Sequence, residues 1–138
     1  MTRSLELKIG ARRFVAELLE AEAPGTCGAI IKALPIRGKV IHARWSGEAM
    51  WLPMKDSGVE VPHENATSHP SRGELLFYPG FVSEKEILIP YGPSRFASKA
   101  GVLAGNHFAT VREGLDGLAE VGSSVLWEGA KEAVIDAI

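Results

Sequence analysis

A mainly β fold is what the residue pattern predicts, on three observations. Short apolar runs are separated by turn formers: the 138 residues include 15 Gly and 8 Pro, a share above the roughly 12% of average chains. Such punctuation marks sheet-rich chains. Several runs alternate apolar and polar residues with period two, the spacing that puts one set of side chains on one face of a strand. Helical spacing is visible in only two segments, one near each end of the chain.

The elements follow in order. Leu5, Leu7 and Ile9 alternate with polar residues, as do Phe14, Ala16 and Leu18, and Gly10-Ala11 lies between; the pair reads as a hairpin. In 24-PGTCGAIIKALP-35, Pro24 suits a helix start, Ile30, Ile31 and Leu34 form a stripe, and Pro35 ends it. From Val40 to Leu52 the odd positions Ile41, Ala43, Trp45, Ala49 and Trp51 are apolar, while His42, Arg44, Ser46 and Glu48 are polar. That predicts a two-faced strand, its odd face toward the core, with a turn or bulge at Ser46-Gly47. Residues 55–72 read as a long loop. The runs 74-ELLFY-78, 86-EILIPY-91 and 107-HFATV-111 read as strands, with 92–105 a second loop. After Leu115, the apolar Leu118 and Val121 suit a helix, but Gly122 and Gly129 argue against an unbroken one; a helix and a last strand at about 133–138 are expected.

Bulk properties exclude several function classes. A length of 138 residues with 46% apolar and 23% charged side chains fits one globular domain over 1–138. The net charge of −2 is spread along the chain, with no basic stripe for nucleic acid and no polybasic run for a membrane surface. No apolar run approaches the roughly 20 residues of a membrane span, and MTRSLELKIGARRF has no apolar signal core. A soluble, cytoplasmic protein is expected. The single cysteine, Cys27, has no partner for a disulfide and reads as a small core residue. His63, Glu64 and His69 lack the helical H-E-x-x-H spacing, and Pro62 and Pro70 flank them. There is no Gly-rich phosphate loop and no nucleophile elbow at Ser46-Gly47. Neither metal nor cofactor is expected.

At its two ends the chain resembles cyclophilin. The stretch 17-ELLEAEAPGTCGAIIKAL-34 resembles the strand-to-helix passage of that family; 103-LAGNHFATVREGLDGLAEVGS-123 resembles its Leu-x-Gly-x-His, strand, Glu-Gly-x-Asp and helix passage; 134-VIDA-137 resembles its closing strand. The middle is similar to bacterial cyclophilin-like families of uncharacterised function, through 45-WSGEAMW-51, 64-ENA-66, 73-GELLFYPG-80 and 91-YGPSRF-96. The resemblance implies a closed or nearly closed β-barrel of about eight strands capped by two helices, and closure leaves no strand edge open. It argues against prolyl isomerisation. Arg44 in 41-IHAR-44 stands one residue late, which in a strand is the other face; the Gln-Gly-Gly segment is missing from a chain without Gln; Leu103 and His107 match, but Val102 stands where Trp is expected.

The resemblance marks Arg44, Trp45, Glu48, Trp51, Glu64, Asn65, Tyr78, Tyr91, Asn106 and His107 as ligand-binding candidates. A barrel would gather them at one mouth, where small-ligand sites occur. Arg44 suits a carboxylate, Trp45 or Tyr78 a flat ring, and Glu48 or Glu64 a hydrogen bond, while His107 titrates near neutrality. Each also has a plainer reading. Trp45 and Trp51 suit the core; Arg44 and Glu48 suit an ion pair; Glu64-Asn65 and Asn106-His107 suit turns; Tyr78 and Tyr91 suit strand ends; His63 and His69 suit solvent. Three functions remain open: binding of a small anionic or amide-bearing metabolite; an enzyme or enzyme subunit acting on a small amide or cyclic amide, with Glu48 or His107 as base and Arg44 as charge stabiliser; and a homo-oligomeric interaction module. A small molecule is the expected partner.

Overall fold

The computed structural model describes residues 3–138. Strands β1 (Ser4–Ile9) and β2 (Arg12–Leu18) form the expected hairpin, turning at Gly10 with positive φ. Helix α1 (Pro24–Ala33) follows, then β3 (Ile36–His42), β4 (Gly47–Pro53), a two-residue β5 (Ala66–Thr67), β6 (Glu74–Tyr78) and β7 (Glu86–Ser94). A small hairpin of β8 (Ala97–Ser98) and β9 (Gly101–Val102) precedes β10 (Gly105–Glu113), helix α2 (Leu115–Glu128) and β11 (Lys131–Ala137).

Eight strands close into an antiparallel barrel in the order β2-β1-β11-β3-β4-β7-β6-β10, with β10 pairing back onto β2. Closure satisfies every wall strand on both sides. Side chains from alternate positions fill the interior: Leu5, Leu7 and Ile9 from β1, Phe14 from β2, Met50 and Leu52 from β4, Phe77 from β6 and Phe108 from β10. Cys27 and Ile30 of α1, and Leu118, Val121 and Val125 of α2, pack onto this core. Cys27 behaves as the small core residue its neighbours suggest. Burial pushes its thiol up to about 11, and the S–H donates to the Phe108 carbonyl.

Two expectations are corrected. The odd positions of β3 and β4 do not face the core. Val40, Met50 and Leu52 do, while Ala49 and Trp51 join a second apolar layer on the outer side of the wall, with Leu76, Tyr78, Leu88, Phe96 and Leu103. This wall is covered on both sides, so both faces are apolar and the alternation misassigns which is inner. Trp45 is not in a strand but in the bend between β3 and β4, 56% exposed.

Helix α2 runs unbroken through Gly122, which is glycine because a side chain there has no room: a Cβ would lie 2.2–2.5 Å from three ring atoms of Tyr91. Gly122→Ala gains about 1 kcal/mol of helix propensity but must displace a buried ring. The expected net result is a loss of about 1–3 kcal/mol, measurable by urea unfolding; an unchanged or raised midpoint would contradict this packing.

Candidate functional site

The sequence candidates separate into three places. The first is a structural knot between α1 and β10. No side chain caps the start of α1. Instead the Glu64 carboxylate reaches in from the long loop and accepts from the Thr26 backbone N–H and, at 2.6 Å, from the Thr26 hydroxyl. A negative charge there also suits the helix dipole. Asn106, wholly buried, donates to the Thr26 hydroxyl and the Pro62 carbonyl, both at 3.0 Å, and accepts from the Glu64 N–H at 3.0 Å. Next to it, Asn65 donates to the His107 carbonyl while His107 N–H donates to the Asn65 carbonyl. The His107 ring sits 2.8 Å from the Thr110 hydroxyl, and burial lowers its pKa.

The second place is the end of β7. Tyr91 is buried under α2, and its hydroxyl lies 2.7 Å from Nε2 of His42. His42 Nδ1, 2.8 Å from the Ala43 carbonyl, is the donor in that contact. Nε2 is then the acceptor, and Tyr91 O–H donates to it. The Glu48 carboxylate lies over Gly92. Burial, and then the nearby Glu48 charge, raise the Tyr91 pKa. Tyr78, in the outer layer, closes a turn: its hydroxyl accepts from the Val82 N–H at 3.0 Å.

The third place is a cleft of about 350 Å³ on the outer side of the wall, lined by Arg44, Trp45, Trp51, Glu86, Leu88 and Lys99 among others. It is not a barrel mouth, since the barrel interior is filled by the apolar core. Its back is sheet. Trp51 of β4 stands directly opposite Leu88 of β7, and Glu86 lies two residues along β7 on the same side. One rim is the bend at Arg44–Ser46; the other is the hairpin strand β8 and Lys99. Ser46 joins the rims, donating its hydroxyl to the Ala97 carbonyl and accepting from the Ala97 N–H, both at 3.1 Å. Gly47 allows the tight exit into β4: its φ is +96°, and a Cβ would meet the Pro93 carbonyl oxygen at 2.8 Å.

Glu86 is the residue that sequence reasoning missed. It is 8% exposed, and among the described residues its carboxyl has neither a hydrogen-bond nor an ion-pair partner; its oxygens keep some contact with solvent, and the side chain lines the cleft. Burial, and to a lesser degree the Glu84 charge, push it up to about 8. The acid is therefore mostly neutral at pH 7 and can both donate and accept. Arg44 and Lys99 likewise make no ion pair among the described residues, so the cleft is net positive with a neutral acid set into its wall. A larger hollow of about 520 Å³ lies between α1 and residues 57–61, but its walls are mainly Gly, Ala, Pro and Val, and its charges, Lys32 and Glu60, are exposed. It offers a ligand nothing comparable.

Among solved structures, McbB in complex with tryptophan superimposes with a TM-score of 0.74 at 19% identity, over 96% of this chain and 44% of that one. The chain thus spans less than half of McbB. The solution structure of the hypothetical protein AF2241 from Archaeoglobus fulgidus superimposes with a TM-score of 0.67 at 20% identity, over 99% of this chain and 95% of that one. At such identities the likeness is one of fold. No curated protein matches the chain. No helix is long and apolar enough to cross a membrane among the described residues. Residues 5–136 match the family described as protein of unknown function (DUF3830), and the chain belongs to that family.

Proposed function

We propose that this chain is a small-molecule-binding barrel of cyclophilin-like type, acting in the cytoplasm without prolyl isomerase activity, and that its ligand is an anionic or amide-bearing metabolite seated in the cleft of Arg44, Trp45, Trp51 and Glu86. The observation that carries this reading is Glu86. A carboxyl largely taken out of water without a partner is costly, and here it stands in a cleft whose lining also holds a guanidinium, an ammonium and two indoles. Functional sites are where such costs are tolerated. McbB, part of which shares this fold, was solved in complex with tryptophan, and that supports the reading at the level of fold. In this reading Arg44 forks onto the anion, Trp45 and Trp51 stack on the flat part, and Glu48, Glu64, Asn65, Tyr78, Tyr91, Asn106 and His107 hold the surrounding frame.

The test is thermal unfolding with a panel of flat carboxylates and cyclic amides. A ligand at about 100 times its Kd adds roughly 2.7 kcal/mol of stability. At least one member should raise Tm clearly, and Arg44→Ala should remove most of that rise. A panel that never shifts wild-type Tm rejects the reading.

A second reading, an enzyme on a small amide, draws on the same residue. A carboxylic acid that keeps its proton at neutral pH is suited to general acid catalysis. Its mark would be turnover lost in Glu86→Gln while binding is kept.

A further inference from the structure

Resting on that reading of the cleft, we propose that its ligands carry a cis-amide edge, an N–H beside a C=O in one ring as in a lactam or cyclic imide, which pairs with the Glu86 carboxyl through two hydrogen bonds, while a carboxylate elsewhere on the ring is held by Arg44 and Lys99. A planar carboxylic acid presents one donor and one acceptor side by side. A cis-amide presents the reverse pair at the same spacing, so it satisfies both groups at once. A trans-amide or a plain carboxylate leaves one unpaired, and an unpaired buried polar group is costly.

The geometry sets the size. Glu86 and Leu88 are two residues apart on one face of β7, about 7 Å along the strand, and Trp51 stands opposite Leu88. A single ring edge-on to Glu86 therefore lies over the Leu88–Trp51 pair. The charges set the sign. Arg44 and Lys99 line the cleft with no anionic partner among the described residues, so a second cation is repelled and an anion is welcome. A cationic amidine, the other natural partner of a buried acid, suits the site poorly.

The acid must be protonated to donate, so recognition is lost as Glu86 ionises near pH 8. Glu84, nearby on its own segment, is the charge that acts on it, and Arg44 and Lys99 line the same cleft. Its neighbours across the sheet are Tyr78, whose hydroxyl is held by Val82, and Pro53. His42, also in the lining, is bonded to Tyr91, and Lys85 is turned to Glu60.

The experiment is calorimetric titration of the protein with a pyridone carboxylate, its N-methyl derivative, benzoate and benzamidine, at pH 7 and pH 9. At pH 7 the pyridone carboxylate should bind at least about tenfold more tightly than the N-methyl compound or benzoate, the discrimination expected when a buried hydrogen bond is withheld. The preference should shrink at pH 9. Glu86→Leu should abolish it. Glu86→Gln, whose amide also sets a donor beside an acceptor, should keep a preference that no longer varies with pH. Equal affinity for the pyridone and its N-methyl derivative, a preference that survives Glu86→Leu, or tighter binding of benzamidine would overturn the inference. If the flat carboxylates bind alike and Arg44→Ala weakens them all, the inference fails and the binding cleft stands; if none of the four binds, both fail.

Discussion

Glu86→Gln should raise the unfolding free energy by about 3–5 kcal/mol at pH 9 and change it little near pH 4. The direction follows from where the proton sits. Burial holds the Glu86 pKa at about 8 in the folded chain, whereas the unfolded chain has an ordinary glutamate. Below the unfolded value both states carry the proton and nothing is lost. Between that value and about 8 the folded state holds a proton that the unfolded state has released, so stability falls as pH rises, by about 1.4 kcal/mol per pH unit. Above about 8 both states are ionised, and the loss is complete. Glutamine fills nearly the same volume without a charge to desolvate. Urea unfolding of the two proteins at pH 4, 6 and 9 should give curves that diverge steadily and then run parallel. The difference between the proteins is the quantity to read, because His107 and Cys27 titrate in both. A constant difference across this range would mean that Glu86 is solvated in solution, and the cleft would lose its defining group.

Such an effect is natural for a binding site and odd for a structural residue. Several acids in this protein are paired: Glu6 with Arg13, Glu20 with Arg3, Glu64 with Thr26. In the first two pairs the hydrogen bond from the arginine lowers the carboxyl pKa, the opposite of what happens at Glu86. The unpaired acid weakens the free protein, and a ligand that satisfies it recovers that stability on binding. Protons and ligand should therefore be linked, and the ligand's stabilising effect should be larger on the acid side of pH 8 than above it.

Much of the frame was legible because its signals are local. The β1–β2 hairpin follows from two alternating runs and a tight turn, and α1 from Pro24 and a spaced apolar stripe. The first half of β3 was not legible. Ile36-Arg37-Gly38-Lys39 shows little alternation, and it is a strand because β11 pairs with it from the far end of the chain. Gly122 misled because its reason, the Tyr91 ring, lies on another element. Glu86 is the sharpest case. An acid at the start of 86-EILIPY-91 reads as a solvated strand end. Its cover comes from the bend at 43–46, from Trp51 and from residues 97–99, none of which are near it in sequence. One clue was available: Glu86 shares strand parity with Leu88, so an acid stands in line with a buried face. Arg44, Trp45 and Trp51 did fall together, while Glu64, Asn65, Asn106 and His107 gathered at a helix start instead.

That second gathering yields the other large effect. Asn106→Ala should destabilise the protein by about 2–4 kcal/mol, although Asn106 does not line the cleft. Its amide makes three hydrogen bonds that join α1, the long loop and β10: to the Thr26 hydroxyl, to the Pro62 carbonyl and from the Glu64 N–H. Alanine leaves the last two without their partner and opens a void where the side chain is wholly buried. The Glu64 carboxylate then loses the backbone anchor that holds it over the start of α1, and the Thr26 N–H loses its acceptor. Asn106→Asp separates the amide's roles. It keeps the acceptor for Glu64 N–H, gives up both donors and sets a second carboxylate beside Glu64. It should therefore be worse than alanine at pH 7 and should recover in part when acidified, as the new carboxyl takes up a proton. Urea midpoints of the three proteins at pH 5 and pH 7 test this. An Asn106→Ala variant as stable as wild type would show that the knot does not hold the helix. A variant that loses ligand affinity without losing stability would return Asn106 to the binding site.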